Sequence, residues 1–216
     1  MPGLYGKHPL FGDFISLGLG DRSQATIETW LDEILPRSKS TEGEGWQTMF
    51  DNGLPLRFWA GSDIFAQGPV CGVLRPSRDK VGRRFPLVAV LEKTVPMPPV
   101  IDPNQHIYEA LAAGLDGITS DAPLAALTDA IGQMDDYATS SAAEPDFWAV
   151  NGEAPLEELL SAVSATDHLR ATRGRSYWWS LGDATRAPAI RACRGRPDAT
   201  SLNWLLAGVL RDEVLV

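Results

Sequence analysis

Seven consecutive residues, Phe85-Pro86-Leu87-Val88-Ala89-Val90-Leu91, carry neither a charge nor a polar side chain. Side chains of a strand alternate between two faces, so a strand apolar at every position must be covered on both. That demand excludes a sheet with one face in water and calls for helices above and below. The helices are legible. Ile27, Trp30, Leu31, Ile34 and Leu35 fall on one helical face, with Asp21 or Ser23 as cap and Pro36 as stop. Tyr108, Leu111 and Leu115 mark a second helix. Leu124, Leu127, Ile131 and Met134 mark a third, capped by Asp121 and with Pro123 early in it. Leu156, Leu159, Leu160 and Val163 predict a fourth, and Leu202–Leu210 a closing helix.

The remaining strands are Leu56–Ala60 and Val70–Leu74, joined through the turn region Gly61–Pro69, and Ser176–Leu181. Leu4-Tyr5 and Phe14-Ile15 flank a compact loop marked by Pro9 and Gly12. Strand character on both sides of the helical block predicts one α/β domain over residues 1–216, with a weak boundary near the Pro-rich stretch at 95–101. The expected architecture is a single-domain sandwich, a mixed sheet of about five strands with helices on both faces.

Charge is segregated. The net charge is −9. Residues 1–100 balance 11 basic against 11 acidic side chains, residues 101–167 hold 13 acidic side chains with no Lys or Arg, and residues 168–211 hold eight Arg against Asp183 and Asp198. Such blocks meet each other, face solvent, or dock on a partner of opposite charge. The acidic excess argues against nucleic acid as a partner. No run approaches the roughly 20 apolar residues of a membrane span, the first residues lack a signal-peptide pattern, and Cys71 and Cys193 build no disulfide framework or metal cage, so a cytoplasmic protein is expected.

Candidate catalytic patterns fail on spacing. Gly3-Leu4-Tyr5-Gly6-Lys7 is too short between its glycines for a phosphate loop and is followed by His8 rather than Ser or Thr. Ser77-Arg78-Asp79-Lys80 matches S-x-x-K but lacks the companion motifs, so a polar turn between strands is the simpler reading. His8, His106 and His168 belong to no metal-binding or elbow motif. No cofactor, metal or catalytic residue is expected. Arg75–Arg84 is the densest basic cluster, and five cations exceed what Asp79 alone can neutralise. Either they grip an anionic group, or Asp79 pairs with Arg83 or Arg84 and pins the loop. In Tyr177-Trp178-Trp179, Trp178 faces opposite to its neighbours. All three are core if the sheet is covered on both faces; otherwise one face carries an aromatic anchor.

Three segments in this order resemble the TagF family of type VI secretion system-associated regulators. They are Tyr5-Gly6-Lys7-His8-Pro9-Leu10-Phe11-Gly12-Asp13-Phe14, the stretch from Gly72 through Pro76-Ser77-Arg78-Asp79-Lys80-Val81-Gly82-Arg83-Arg84-Phe85-Pro86 to Leu87, and Ser176-Tyr177-Trp178-Trp179. His8 stands where the family usually has an apolar residue. A phosphatase domain fused to some members is not expected at this length. The resemblance implies an α/β sandwich and a non-enzymatic cytoplasmic repressor acting by protein contacts. Its expected partners are an Fha-type forkhead-associated scaffold protein or components of the secretion membrane complex.

The residues expected to meet the partner are Lys7, Asp13, Ser77, Asp79, Arg83, Arg84 and Trp178. Gly6, Gly12, Gly72 and Gly82 are expected to supply backbone geometry that a side chain would block, with Pro76, Pro86, Tyr177 and Trp179 as further structural positions. Phe14, Phe85 and Leu87 are expected to anchor the loops in the core. The rival is a small-ligand protein or hydrolase-like enzyme whose pocket is lined by the Lys7/Asp13 and Ser77–Arg84 loops. A third reading makes both loops structural, their charges paired with one another, which moves the partner surface to the acidic helices or the Arg-rich stretch.

Overall fold

The apolar run sits at the centre of the molecule, as its two-sided coverage requires. The computed structural model describes residues 2–92, 95–132, 155–158 and 172–213. The chain runs β1 (Pro2–Gly6), β2 (Ile15–Leu17), α1 (Asp21–Glu42), α2 (Trp46–Asp51), β3 (Leu56–Ala60), β4 (Val70–Arg75), β5 (Leu87–Leu91), α3 (His106–Asp116) and α4 (Ala125–Gly132). It continues with β6 (Arg175–Ser180), β7 (Arg186–Ala187), β8 (Ala189–Arg194), α5 (Ala199–Ala207) and β9 (Val209–Leu210). Seven strands form one sheet in the order β2-β1-β5-β4-β3-β6-β8, while β7 and β9 pair separately.

The α/β sandwich with helices on both faces is therefore as the sequence predicts, but the sheet has seven strands and every pairing in it is antiparallel rather than mixed. Alternation along the strands sorts the core into two halves. Tyr5, Phe58, Leu74, Val88, Val90 and Trp178 pack under α1, α2 and α5. Leu4, Trp59, Val73, Leu87, Ala89, Tyr177 and Trp179 pack under α3 and α4. All three aromatics of Tyr177-Trp178-Trp179 are buried, and Trp178 is 0% exposed. The expectation that Trp178 meets a partner is thereby corrected.

Trp178 belongs to one cross-strand row, Val90–Gly72–Phe58–Trp178–Arg191. The Phe58 ring stacks on the indole at 4.6 Å between centroids and leans over Gly72, where a Cβ would lie 2.5 Å from the ring and 2.2 Å from the Ala89 carbonyl oxygen. Gly72 is thus the small partner that lets two large rings share a row. The Trp178 indole N–H donates to Ser176 Oγ at 2.9 Å, so burial leaves its polar atom satisfied.

Several helix boundaries differ from the sequence prediction. Pro36 does not stop α1, which continues to Glu42. It lies on the exposed side of the helix, as does Asp32, whose carbonyl its missing N–H leaves without an intrahelical partner. Beyond it, buried Ser38 donates to Asn203 of α5 and accepts from the Trp46 indole at 2.8 Å, so tertiary bonds hold the extra turns. Neither Asp21 nor Ser23 caps α1: the cap is Gly20, whose N–H donates to the Glu92 carboxylate at 2.9 Å. Asp121 precedes α4 by several residues and does not cap it. The closing helix ends at Ala207, and Val209–Leu210 is strand. Leu156 is exposed, and Met134, Leu159, Leu160, Val163 and His168 lie outside the described residues.

Truncation of Trp178 to alanine removes the ring that Trp30, Phe58 and Phe65 all contact. Chemical denaturation of Trp178→Ala is expected to show a loss of about 3–5 kcal/mol, as for other buried large-to-small aromatic changes.

Candidate functional site

β4 and β5 are joined by the loop 76–86, and β1 and β2 by the loop 7–14; both leave the sheet at the same end. A buried carboxylate joins them. The Asp79 side chain is 0% exposed and accepts the Lys7 ammonium at 3.0 Å and Arg83 Nε at 2.6 Å, both on Oδ2. Its Oδ1 accepts the backbone N–H of Val81 at 3.0 Å and of Arg83 at 2.9 Å. Burial works to raise the carboxyl pKa. The Arg83 backbone, Lys7, Arg83 side-chain and Val81 bonds outweigh it and hold the group far below the usual carboxylate range. Arg83 also donates to the Gly12 carbonyl at 2.7 Å, and the Lys80 N–H donates to the Phe11 carbonyl at 2.8 Å.

Local backbone sets this geometry. The chain turns sharply at Gly6 (φ 128°), where a Cβ would sit 2.0 Å from the Pro86 carbonyl oxygen. The next N–H, that of Lys7, donates to that same oxygen at 3.3 Å. Within the second loop, Phe85 N–H bonds the Ser77 carbonyl and Gly82 N–H the Asp79 carbonyl, closing a tight polar turn in which Gly82 takes φ 88°. Gly12 has open space where a Cβ would stand, so the expectation of a geometric role there is corrected.

The structure brings Lys7, Asp79 and Arg83 together and separates the other candidates. Asp13 is exposed and, among the described residues, accepts only the N–H of Phe14 in its own turn, at 2.9 Å. Ser77 is half-buried and contributes its carbonyl. Arg84 forms a bidentate pair with Asp51 of α2 at 2.8 and 2.7 Å, and that hydrogen bonding lowers the Asp51 pKa. Arg75 bonds Asp116 and the Leu115 carbonyl of α3. Phe85 and Leu87 are buried as expected, but Phe14 is 45% exposed. It stacks against Tyr5, meets the Phe85 edge at 4.8 Å and carries the Lys7 ammonium over its face at 4.8 Å. Because Asp79 and Lys7 are buried and committed to each other, neither is available to a partner as drawn from the sequence.

Four features were invisible to sequence reasoning, three of them at this end. Asp51 and Asp116, which neutralise Arg84 and Arg75, lie 33 and 41 residues from their partners. Val81, 70% exposed, and Leu10 stand on the outer rim. A groove of about 550 Å³ runs between the second loop (Gly82, Arg83, Arg84, Phe85) and the helices α1 and α2, on a side that Lys7 and Asp13 do not line. Cys71 lies wholly within the core, where burial pushes its thiol pKa up.

The family model for the TagF N-terminal domain, type VI secretion system-associated, matches residues 3–134. The chain belongs to the TagF family. The match includes both loops of the clasp and both of their motifs, and Ser176-Tyr177-Trp178-Trp179 falls beyond it. In fold, the chain resembles the crystal structure of PA0076 from Pseudomonas aeruginosa PAO1, with a TM-score of 0.72 and 23% identity, over 100% of this chain and 96% of that one. No curated protein matches the chain. No helix among the described residues is long and apolar enough to cross a membrane.

Two outcomes test this TagF clasp. An aspartate whose folded pKa lies below its unfolded value of about 4 contributes stability that is intact above that value and is lost as pH falls from there through the lower folded value. Asp79→Asn is therefore expected to melt lower than wild type near neutral pH and to lose less on acidification below about pH 4, in melting curves taken across that range. Asp51 and Asp183, held low by their arginine bonds, and Asp121 and Asp198, held low by hydrogen bonds from Thr119 and Ser201, contribute to the remaining slope. Independently, Gly6→Ala is expected to lower the melting temperature by several degrees, and Gly12→Ala to leave it within a degree or so, since only the first meets backbone.

Proposed function

We propose that this chain is a non-enzymatic, post-translational repressor of type VI secretion that acts in the cytoplasm by stoichiometric protein binding. Its partner is an Fha-type forkhead-associated scaffold protein or a component of the secretion membrane complex. Membership of a type VI secretion-associated family supports the setting. The observation that carries the binding role is the outer rim of the clasp. Val81 stands at its tip, flanked by the exposed Arg78, Lys80 and Arg83, with Leu10 and Phe14 exposed on the neighbouring loop.

An apolar tip ringed by cations on a loop already fixed by a buried carboxylate is a preorganised docking surface: it adds contact area with little ordering cost. The same clasp supports the absence of an enzymatic role. Lys7 and Asp79, the two motif groups best placed for acid–base work, are saturated by each other and by Arg83.

The test is an affinity capture from cells with an active type VI system, using wild type and a Lys80→Glu/Val81→Asp variant matched for thermal stability. Neither substituted side chain contributes to the clasp. Wild type is expected to recover the scaffold or a membrane-complex component and to suppress effector secretion, and the variant to lose at least ~10-fold of both. Equal recovery by both proteins would move the contact surface elsewhere, and recovery of no secretion component by wild type would overturn the regulator reading.

A further inference from the structure

The far edge of the sheet carries a second, unassigned surface. β8 is the last strand in the sheet order among the described residues, six residues long, or about 20 Å. Its residues are exposed or half-exposed throughout, and Ile190 is 59% exposed. Edge strands with unpaired backbone groups are sites where another chain can add a strand. Natural edges are usually shortened, bulged or covered; this one is straight and pairs with β6 over six residues without interruption.

Side-chain chemistry is graded along the strand. Arg191 is opposite Trp178 and Ile190 opposite Trp179, so the two point to opposite faces. At its start, β8 borders an apolar cavity of about 290 Å³ whose walls include Pro99, Pro103, Trp179, Leu181, Pro188 and Ile190. At its other end lies a larger depression of about 680 Å³ with Arg173, Arg194 and Arg196 in its wall. Arg173 is paired with Asp63, and Arg196 bonds the Thr26 carbonyl. Arg175, Arg191 and Arg194 form no ion pair among the described residues. The two carboxylates nearest in sequence have other hydrogen-bond partners: Asp183 holds Arg186, and Asp198 caps α5 through the Ser201 N–H, while the Arg191 charge also helps lower the Asp198 pKa without an ion pair.

We propose that β8 accepts an extended segment of a partner protein as an eighth strand, and that this segment is acidic where it passes Arg191 and Arg194 and apolar where it passes Ile190. Charge complementarity selects this occupant. A second copy paired about Arg191 or Arg194 would set arginine against arginine, which like-charge cross-strand contacts disfavour, and any register brings two cationic edges together. For an antiparallel addition, the pattern opposite Arg194 through Ile190 is acidic, small or apolar, apolar, acidic, apolar. This site lies at the opposite edge of the sheet from β1 and the clasp, and it stands or falls independently of the repressor reading.

The probe is a blocked, fluorescently labelled synthetic peptide with Glu facing Arg191 and Arg194 and Val or Leu elsewhere, titrated into the full chain at low salt. Wild type is expected to bind it, with affinity falling as salt rises and with slowed amide hydrogen exchange in β8. Arg191→Glu/Arg194→Glu, with an unchanged melting temperature, is expected to lose ~10-fold or more and to recover binding with a peptide carrying Lys in place of Glu. Lys80→Glu/Val81→Asp is expected to bind the peptide like wild type, which separates this site from the clasp rim. No binding by wild type, binding indifferent to the charge reversal, or concentration-dependent dimerisation that excludes the peptide would each overturn the proposal.

Discussion

An ionised carboxylate sealed from water persists only where cations and hydrogen-bond donors replace its hydration. Asp79 meets that condition with an ammonium from the β1–β2 loop, a guanidinium from its own loop and two backbone N–H groups. The second loop has a further anchor at this end in the bidentate Arg84–Asp51 pair, but Asp79 is the group that joins the two loops to each other. Lys7 reaches Asp79 because Gly6 turns the chain against Pro86, and Arg83 spans from Asp79 to the Gly12 carbonyl. The rim bearing Val81, Leu10 and Phe14 takes its shape from that one ion. Replacing the ion by an apolar group would require four donors to find new partners at once, so the clasp is specific as well as stabilising.

The fold was legible where periodicity was strong. The all-apolar run of β5 dictated two covering layers, and the i, i+3, i+4 faces of α1 and α3 located the helices. What escaped was governed by distant partners. β8, Ala-Ile-Arg-Ala-Cys-Arg between Pro188 and Gly195, looks like charged loop until β6 is seen to pair with it. Pro36 reads as a stop until Ser38, Asn203 and Trp46 lock the turns beyond it. The same distinction applies at the site. The surplus of cations in Arg75–Arg84 was visible, and the carboxylates that absorb two of them were not, because Asp51 and Asp116 belong to other elements. Trp178 was half-legible: the alternation rule gave its two possible environments, and only the presence of α1 and α5 chose the core.

Charge segregation in the sequence resolves into two different uses in space. Part of the acidic block pairs with arginines of the sheet from the exposed side of α3: Glu109 meets Arg57 and Asp116 meets Arg75, linking α3 to β3 and β4. The Arg-rich stretch behaves otherwise. Arg186 and Arg173 find carboxylates, while Arg175, Arg191 and Arg194 line the outer edge. A chain with an acidic net charge thus presents local positive ground at both ends of its sheet, the clasp rim and β8. Long-range attraction to a basic partner and short-range docking of an acidic one are both available to it.

The strand order also sets a timetable for synthesis. β3, β4 and β5 are neighbours in sequence and in the sheet, so this meander can assemble as soon as it leaves the ribosome. β1 is made well before its partner on the inner side, β5, and Gly6 pairs with Leu87. At roughly 5–20 residues per second, β1 waits several seconds with Leu4 and Tyr5 unburied before its place in the sheet exists. β1 is therefore open to chaperones and proteases until β5 is made, although every one of its residues is buried once the sheet is complete.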